Sequence, residues 1–336
     1  MAPVTELQLS VIYDPEEEGR GVAEVDLVLV HGFGGDFMGT WTDKTVEPNV
    51  FWPRDLLLQK QPRTRILSFG YDAGETTTAT IRDNARTMLV YLDCLRDDEC
   101  NVRPIVFIGQ CLGGLIIRQA MCFAKRERIY RPIAFATKSI MFFGTPHGGG
   151  DEKGWLKLAK NYEGFGSKCK MIDVLGNNTA ELLKLDEDFC RLINDYTIVN
   201  FFEMQHLPGT KTTIVGKADA IKLPGLEHLG VNADHLRICQ FKRVNDNTFM
   251  KICRVIKEAV GKPKAQEAAA QATPSSSAKK LQAPQLMLPQ RMLELEQGNG
   301  PSSMPWNEYP SQETPAAAKH KSRRPVLEVV RARLFY

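Results

Sequence analysis

Short runs of aliphatic and β-branched residues recur along the chain, separated by stretches whose apolar positions return at helical spacing. Leu7–Tyr13 alternates and reads as an edge strand. Asp26–Val30, Arg65–Phe69, Ile105–Ile108, Lys138–Phe143, Thr197–Phe202 and Thr212–Val215 read as further strands, several of them apolar throughout. Continuous apolar runs of this length suit strands buried on both faces of a parallel sheet. Thr80–Cys94, Leu115–Lys125 and Phe249–Val260 carry the helical period, for example Ile252, Val255, Ile256 and Val260 on one face. Strands alternating with helices predict a mostly parallel sheet flanked by helices.

Two regions depart from that rhythm. Residues 148–195 are too long for an ordinary strand-to-strand connection. Their pieces Trp155–Tyr162 and Thr179–Ile193 look helical, which suits a helical cap over a site and equally suits extra surface helices. After residue 261 the chain turns to Ala, Gln, Ser and Pro, so 262–336 is predicted as a mostly disordered tail behind a domain of residues 1–261. Leu286–Leu295 and Val326–Tyr336 are apolar enough to dock. The basic cluster from Lys319 to Arg324 fits either peripheral contact with an acidic membrane or simple solvation.

Composition narrows the class without deciding it. The 336 residues are 43% hydrophobic and 25% charged, with a net charge of +3, which gives no argument for nucleic-acid binding. The tail holds 11 Lys and Arg against 6 Glu, so the region before it is slightly acidic. Eight scattered cysteines without a CxxC pair read as reduced thiols. The acidic N-terminus resembles neither a secretory signal nor an ordinary mitochondrial presequence. Apolar runs such as Leu27–Val30 are far shorter than the roughly 18 residues of a spanning helix. The expectation is a cytoplasmic protein, soluble or peripheral.

The chemistry concentrates where Ile105–Ile108 runs into Gly109-Gln110-Cys111-Leu112-Gly113 and then a helix. Strand, G-x-C-x-G, helix is the layout of a nucleophile elbow, with cysteine at the position that usually holds serine. The turn would present Cys111 over a helix N-terminus, whose partial positive charge favours thiolate over thiol. An unperturbed thiol, of pKa ~8.5, is only a few per cent ionised at neutral pH, so the surroundings must supply the activation. An inert buried thiol is the alternative, and it is the better reading for Cys94, Cys122 and Cys253.

The remaining roles follow in chain order. The backbone N–H of Leu112 is one oxyanion donor, and that of Phe33 in His31-Gly32-Phe33-Gly34-Gly35 is the other, with Gly34 as the fallback. His235, after the last strand, is the general base. His147 is assigned to the pocket wall with His31, Gly32, Gly34, Gln110 and Thr145, while His206 and His228 have no supporting context. The acid is Glu203 at the end of Thr197–Phe202, with Asp219 as the rival; Asp234 adjoins His235 too closely to orient its ring. No metal-ligand cluster or phosphate-cradling loop is present, so no cofactor is implied.

Taken together, Val25–Asp36, Thr40-Trp41-Thr42, Phe51–Leu57, Arg65–Ala73, the elbow, Phe143–His147 and Asp234–Phe241 form a combination with a known counterpart. It resembles fungal α/β-hydrolase domains related to the serine-active-site-containing protein family, of the DUF676 and PGAP1-like lipase type. The resemblance covers residues 5–258. It implies an α/β-hydrolase fold and a lipase or esterase acting on acyl esters, including lipids. It also implies association with mitochondria, the endoplasmic reticulum or membranes. The family elbow reads G-H-S-x-G-G, whereas this chain has Gln110 and Cys111. A cysteine would form a thioester acyl-enzyme, open to amines and thiols as well as water, so acyltransferase chemistry is the companion expectation. The other reading is a catalytically lapsed module that binds a lipid or protein partner in signalling.

Overall fold

The central apolar runs become strands buried on both faces, and period-two alternation sorts each strand's side chains between two cores. A computed structural model of the chain describes residues 7–72, 77–96, 102–149, 180–223 and 227–261. The elements in chain order are β1 (Gln8–Tyr13), β2 (Val25–Val30), β3 (Thr42–Asp43), β4 (Val50–Phe51), α1 (Trp52–Asp55), α2 (Leu57–Lys60), β5 (Thr64–Gly70), α3 (Ile81–Leu95) and β6 (Ile105–Gln110). They continue with α4 (Leu112–Arg126), α5 (Arg131–Ala136), β7 (Thr137–Phe143), α6 (Ala180–Cys190), β8 (Thr197–Glu203), α7 (Lys217–Ala220), β9 (Glu227–Val231) and α8 (Asn247–Val260).

Among the described residues seven strands form one sheet in the order β1-β5-β2-β6-β7-β8-β9, and of these only β1 runs antiparallel to its neighbour. On one face Val28, Val30, Phe107 and Phe142 pack against α3, α4, α5 and α6. On the other, Leu27, Leu29, Ile108 and Met141 pack against Trp41, Trp52 and α8. This is the α/β-hydrolase arrangement. β2 and β6 lie side by side, yet the chain leaves β2 towards β5 and leaves β6 towards β7. Connections that diverge from adjacent parallel strands open a crevice at the strands' carboxyl ends, where open α/β sheets bind ligands. The opposite end of β2 is closed by the buried Asp26, which takes a two-pronged hydrogen bond from Arg65 at 2.8 and 2.9 Å and a further one from Arg96.

The caps explain where the helices begin. Thr80 and Asp83 form a reciprocal capping box at α3, and Asp246 accepts the Thr248 and Phe249 N–H groups at α8. The helix expected over Thr179–Ile193 is found as α6, while residues 150–179, Trp155–Tyr162 among them, and the tail 262–336 lie outside the described residues.

One strand assignment is overturned. Residues 212–215 form no strand, and the sheet's last strand is β9, Glu227–Val231. Ile214 and Val215 are buried in the core as an irregular segment, and the Val215 N–H is donated to the Glu203 side chain instead of a strand ladder. His228 reads as a loop residue, yet an edge strand facing solvent tolerates it together with Glu227 and Gly230. His228 therefore lies on a strand and not in the loop after one.

Candidate active site

The elbow is built by crowding. Cys111 sits at φ 53°, the one non-glycine residue with positive φ among those described, a conformation that costs on the order of 1–3 kcal/mol. Its N–H donates to the Phe143 carbonyl at 2.9 Å, and its own carbonyl accepts the Gly114 N–H at 3.1 Å. Close approach then dictates the glycine at 113, because a Cβ there would lie 2.2 Å from the Val30 carbonyl oxygen. Leu112 begins α4, and the first N–H groups of a helix have no acceptor within it.

The loop after β2 is fixed by a neutral imidazole. The Tyr71 backbone N–H donates to His31 Nε2 at 3.2 Å, which leaves the proton on Nδ1 to be donated to the Gly32 carbonyl at 2.9 Å. The ring stacks on Tyr71 with centroids 4.3 Å apart, and burial pushes its pKa down to about 4. Gly35 N–H closes the turn on Gly32 O at 3.1 Å. The loop reaches the elbow, since a Cβ on Gly32 would come 2.5 Å from that of Cys111. Phe33, the assigned donor, is buried in the same turn.

His235 completes the cluster. Nδ1 faces Glu203 Oε1 at 3.3 Å, and the Cys111 side chain lies near enough to the ring to act on its charge. Burial works against a charged ring, but Cys111 and Glu203 outweigh it and push His235 up to about 10. Glu203 Oε1 also accepts the Val215 N–H at 2.6 Å. Asp234 lends no carboxylate to the ring: its Oδ1 caps the following turn, accepting the Leu236 and Arg237 N–H groups at 3.0 and 3.1 Å. Asp219 lies instead beside Gly148 and Gly216, and burial raises its pKa. The fold thus brings Cys111, His235 and Glu203 together and leaves Asp219 apart.

The residues assigned to the pocket wall divide. Gly34 and Gln110 line a cavity of about 230 Å3 with Thr40, Lys44, Leu236 and Gln240. His31, Gly32, Thr145 and His147 are buried and do not line it. Thr145 packs on Gly114, where a Cβ would meet its Oγ1. His147 accepts from Arg118 through Nδ1 at 3.2 Å and donates through Nε2 to Asn200 at 3.0 Å, and its pKa is pushed well down by burial and by Arg118. His206 is exposed, and His228 takes a hydrogen bond from Asn200 at 3.3 Å.

Sequence reasoning missed Arg118, which is fully buried, pairs with Asp186 on α6 and stacks over Phe189 at 5.1 Å. The signal was available: Arg118 stands in the middle of a mostly apolar helical run, and α4 is buried from Leu112 to Ala124. The tether of Gln110 Nε2 to the His235 carbonyl, at 3.2 Å, was not readable, because the two residues are 125 positions apart.

No family model matches the chain. Among curated proteins it is similar to protein SERAC1 of Danio rerio, 24% identical over 276 residues that make up 74% of this chain and 41% of that protein. SERAC1 of Homo sapiens is 23% identical over 279 residues, 75% of this chain and 41% of the relative. The chain therefore spans about two fifths of the length of the curated relatives it matches. Among solved structures it is similar to YbtT, a type II thioesterase of yersiniabactin biosynthesis, with a TM-score of 0.46 and 11% identity over 76% of this chain and 100% of that one.

Proposed function

We propose that the chain is an acyl ester hydrolase that works through a thioester acyl-enzyme on Cys111. The observation that carries this reading is the strained backbone at Cys111, beside a buried His235 ring that feels the Cys111 side chain and faces Glu203 through Nδ1. Backbone strain of this kind persists only where the surroundings over-determine it, and it clusters at reactive positions.

The steps follow from the roles. His235 takes the Cys111 proton on Nε2, since Nδ1 faces Glu203. The sulfur attacks the acyl carbon, a C–S bond forms, and the carbonyl electron pair moves onto oxygen beside the Phe33 and Leu112 N–H groups. Collapse breaks the C–O bond, and the departing alkoxide takes the proton from His235. Water, deprotonated by His235, then attacks the thioester, releasing the carboxylic acid and restoring the thiol. An amine or thiol in place of water would make the same enzyme an acyltransferase.

The test is turnover of short and medium p-nitrophenyl esters against pH, with iodoacetamide labelling of Cys111. Wild type should hydrolyse them and be alkylated faster at Cys111 than at an ordinary thiol. A protein that turns over no ester and whose Cys111 reacts no faster than a free thiol would return the chain to the lapsed-module reading.

A further inference from the structure

The polar cavity beside the elbow has an address that the catalytic roles do not use. Its lining includes the immediate neighbours of three site residues: Gln110 before Cys111, Leu236 after His235 and Gly34 after Phe33. The alcohol that departs as the acyl-enzyme forms must reach the proton on His235, so it has to lie on the side of the His235 loop. Gln110 joins the elbow to that loop through the His235 carbonyl and also lines the cavity. At about 230 Å3 the space falls below the ~300–1,000 Å3 of a pocket that encloses a whole ligand, so it suits one part of a substrate.

The lining describes that part. Leu236 is its one aliphatic side chain beyond methyl and methylene carbons of polar residues; the others include Gln110, Gln240, Thr40, Asp36 and Lys44. Asp36 Oδ1 is committed to the Met38 and Gly39 N–H groups, at 2.8 and 2.5 Å, which fixes the carboxylate in place. Lys44 is exposed and has no ion pair among the described residues. One carboxylate and one ammonium disfavour a net anion and a net cation respectively. Hydroxyls, which both donate and accept, match a wall of amides, a hydroxyl and opposite charges.

Resting on the hydrolase reading above, we infer that this cavity is the subsite for the alcohol part of the substrate, and that it takes a short neutral polyol. An acyl acceptor of the same chemistry would enter by the same route.

The test compares two esters of one acid, the butyrate monoester of glycerol and butyl butyrate, on the full chain. The glycerol ester should be favoured about tenfold in kcat/KM, the factor of one to two net hydrogen bonds. Lys44→Met and Gln240→Leu, at exposed and half-buried positions, should each shrink that ratio. Equal rates on both esters, or a preference that survives both substitutions, would overturn the subsite and leave the hydrolase intact. A preference for a glycerol-phosphate ester over the glycerol ester would overturn the neutral class. Protection supplies a reading independent of turnover: free glycerol should slow iodoacetamide alkylation of Cys111 severalfold in wild type and less in Lys44→Met. Unchanged alkylation overturns the subsite even where no ester turns over.

Discussion

Two buried histidines stand at the carboxyl end of the sheet and differ in everything but burial. His31 has a backbone carbonyl at Nδ1 and a backbone N–H at Nε2, and desolvation drives its pKa down to about 4 against the weaker pull of Gly32 and Asp36. His235 is just as enclosed, but a thiol and a carboxylate flank its ring, and the balance reverses to about 10. Burial alone therefore does not set protonation. A fixed neutral ring serves to hold the loop after β2, whereas a ring between an acid and a thiol is equipped to move protons.

The largest expected effect breaks the His235 side of that comparison. Cys111→Ala and His235→Ala should each lower ester turnover by roughly 10³-fold or more, with the double variant little worse than either, because the groups act as a unit. Additive losses in the double variant would show that the two do not share a step. Glu203→Gln should cost on the order of 10²-fold, within the range of general-base catalysis, while Asp219→Asn stays within about twofold. Full activity in both variants would remove both acid assignments.

The next effects are read in stability. For His31 the folded pKa of about 4 lies below the ordinary 6.5, so between those values the unfolded chain binds the extra proton. Stability should then fall as pH drops from 6.5 towards 4, by about 3 kcal/mol from this ring, and His147 adds in the same direction. Urea midpoints across that range for wild type and His31→Gln measure it; equal slopes would dismiss the neutral-ring account. His235 runs the other way. Its folded pKa is raised, so its contribution is complete below about 6.5 and is lost as pH climbs towards 10. Cys111→Ala removes one of the groups that raise it and should flatten the alkaline loss, a smaller change followed by the same midpoints.

The parts of the fold that were legible in the sequence are those written in local pattern. The strand ending in a glycine-bracketed cysteine and the helical periods of α3, α4 and α8 show it. Residues 212–215 misled because β-branched residues pack in the core without joining a ladder, and the Val215 N–H had a carboxylate to satisfy it. β9 was missed because an edge strand can carry Glu, His and Gly. The choice between Glu203 and Asp219 could not be made from sequence order, since both follow the elbow and precede His235.

What the sequence determined by itself is the elbow: Gly109, Gly113 and Gly114 around Cys111 admit a turn that bulkier residues would block. What only the tertiary structure decided is the company that each histidine keeps. Neighbours 32 to 125 positions away set the charge on His235 and the polarity of the cavity beside it. Electrostatic coupling depends on distance in space and on exclusion of water, and neither is carried by local sequence pattern.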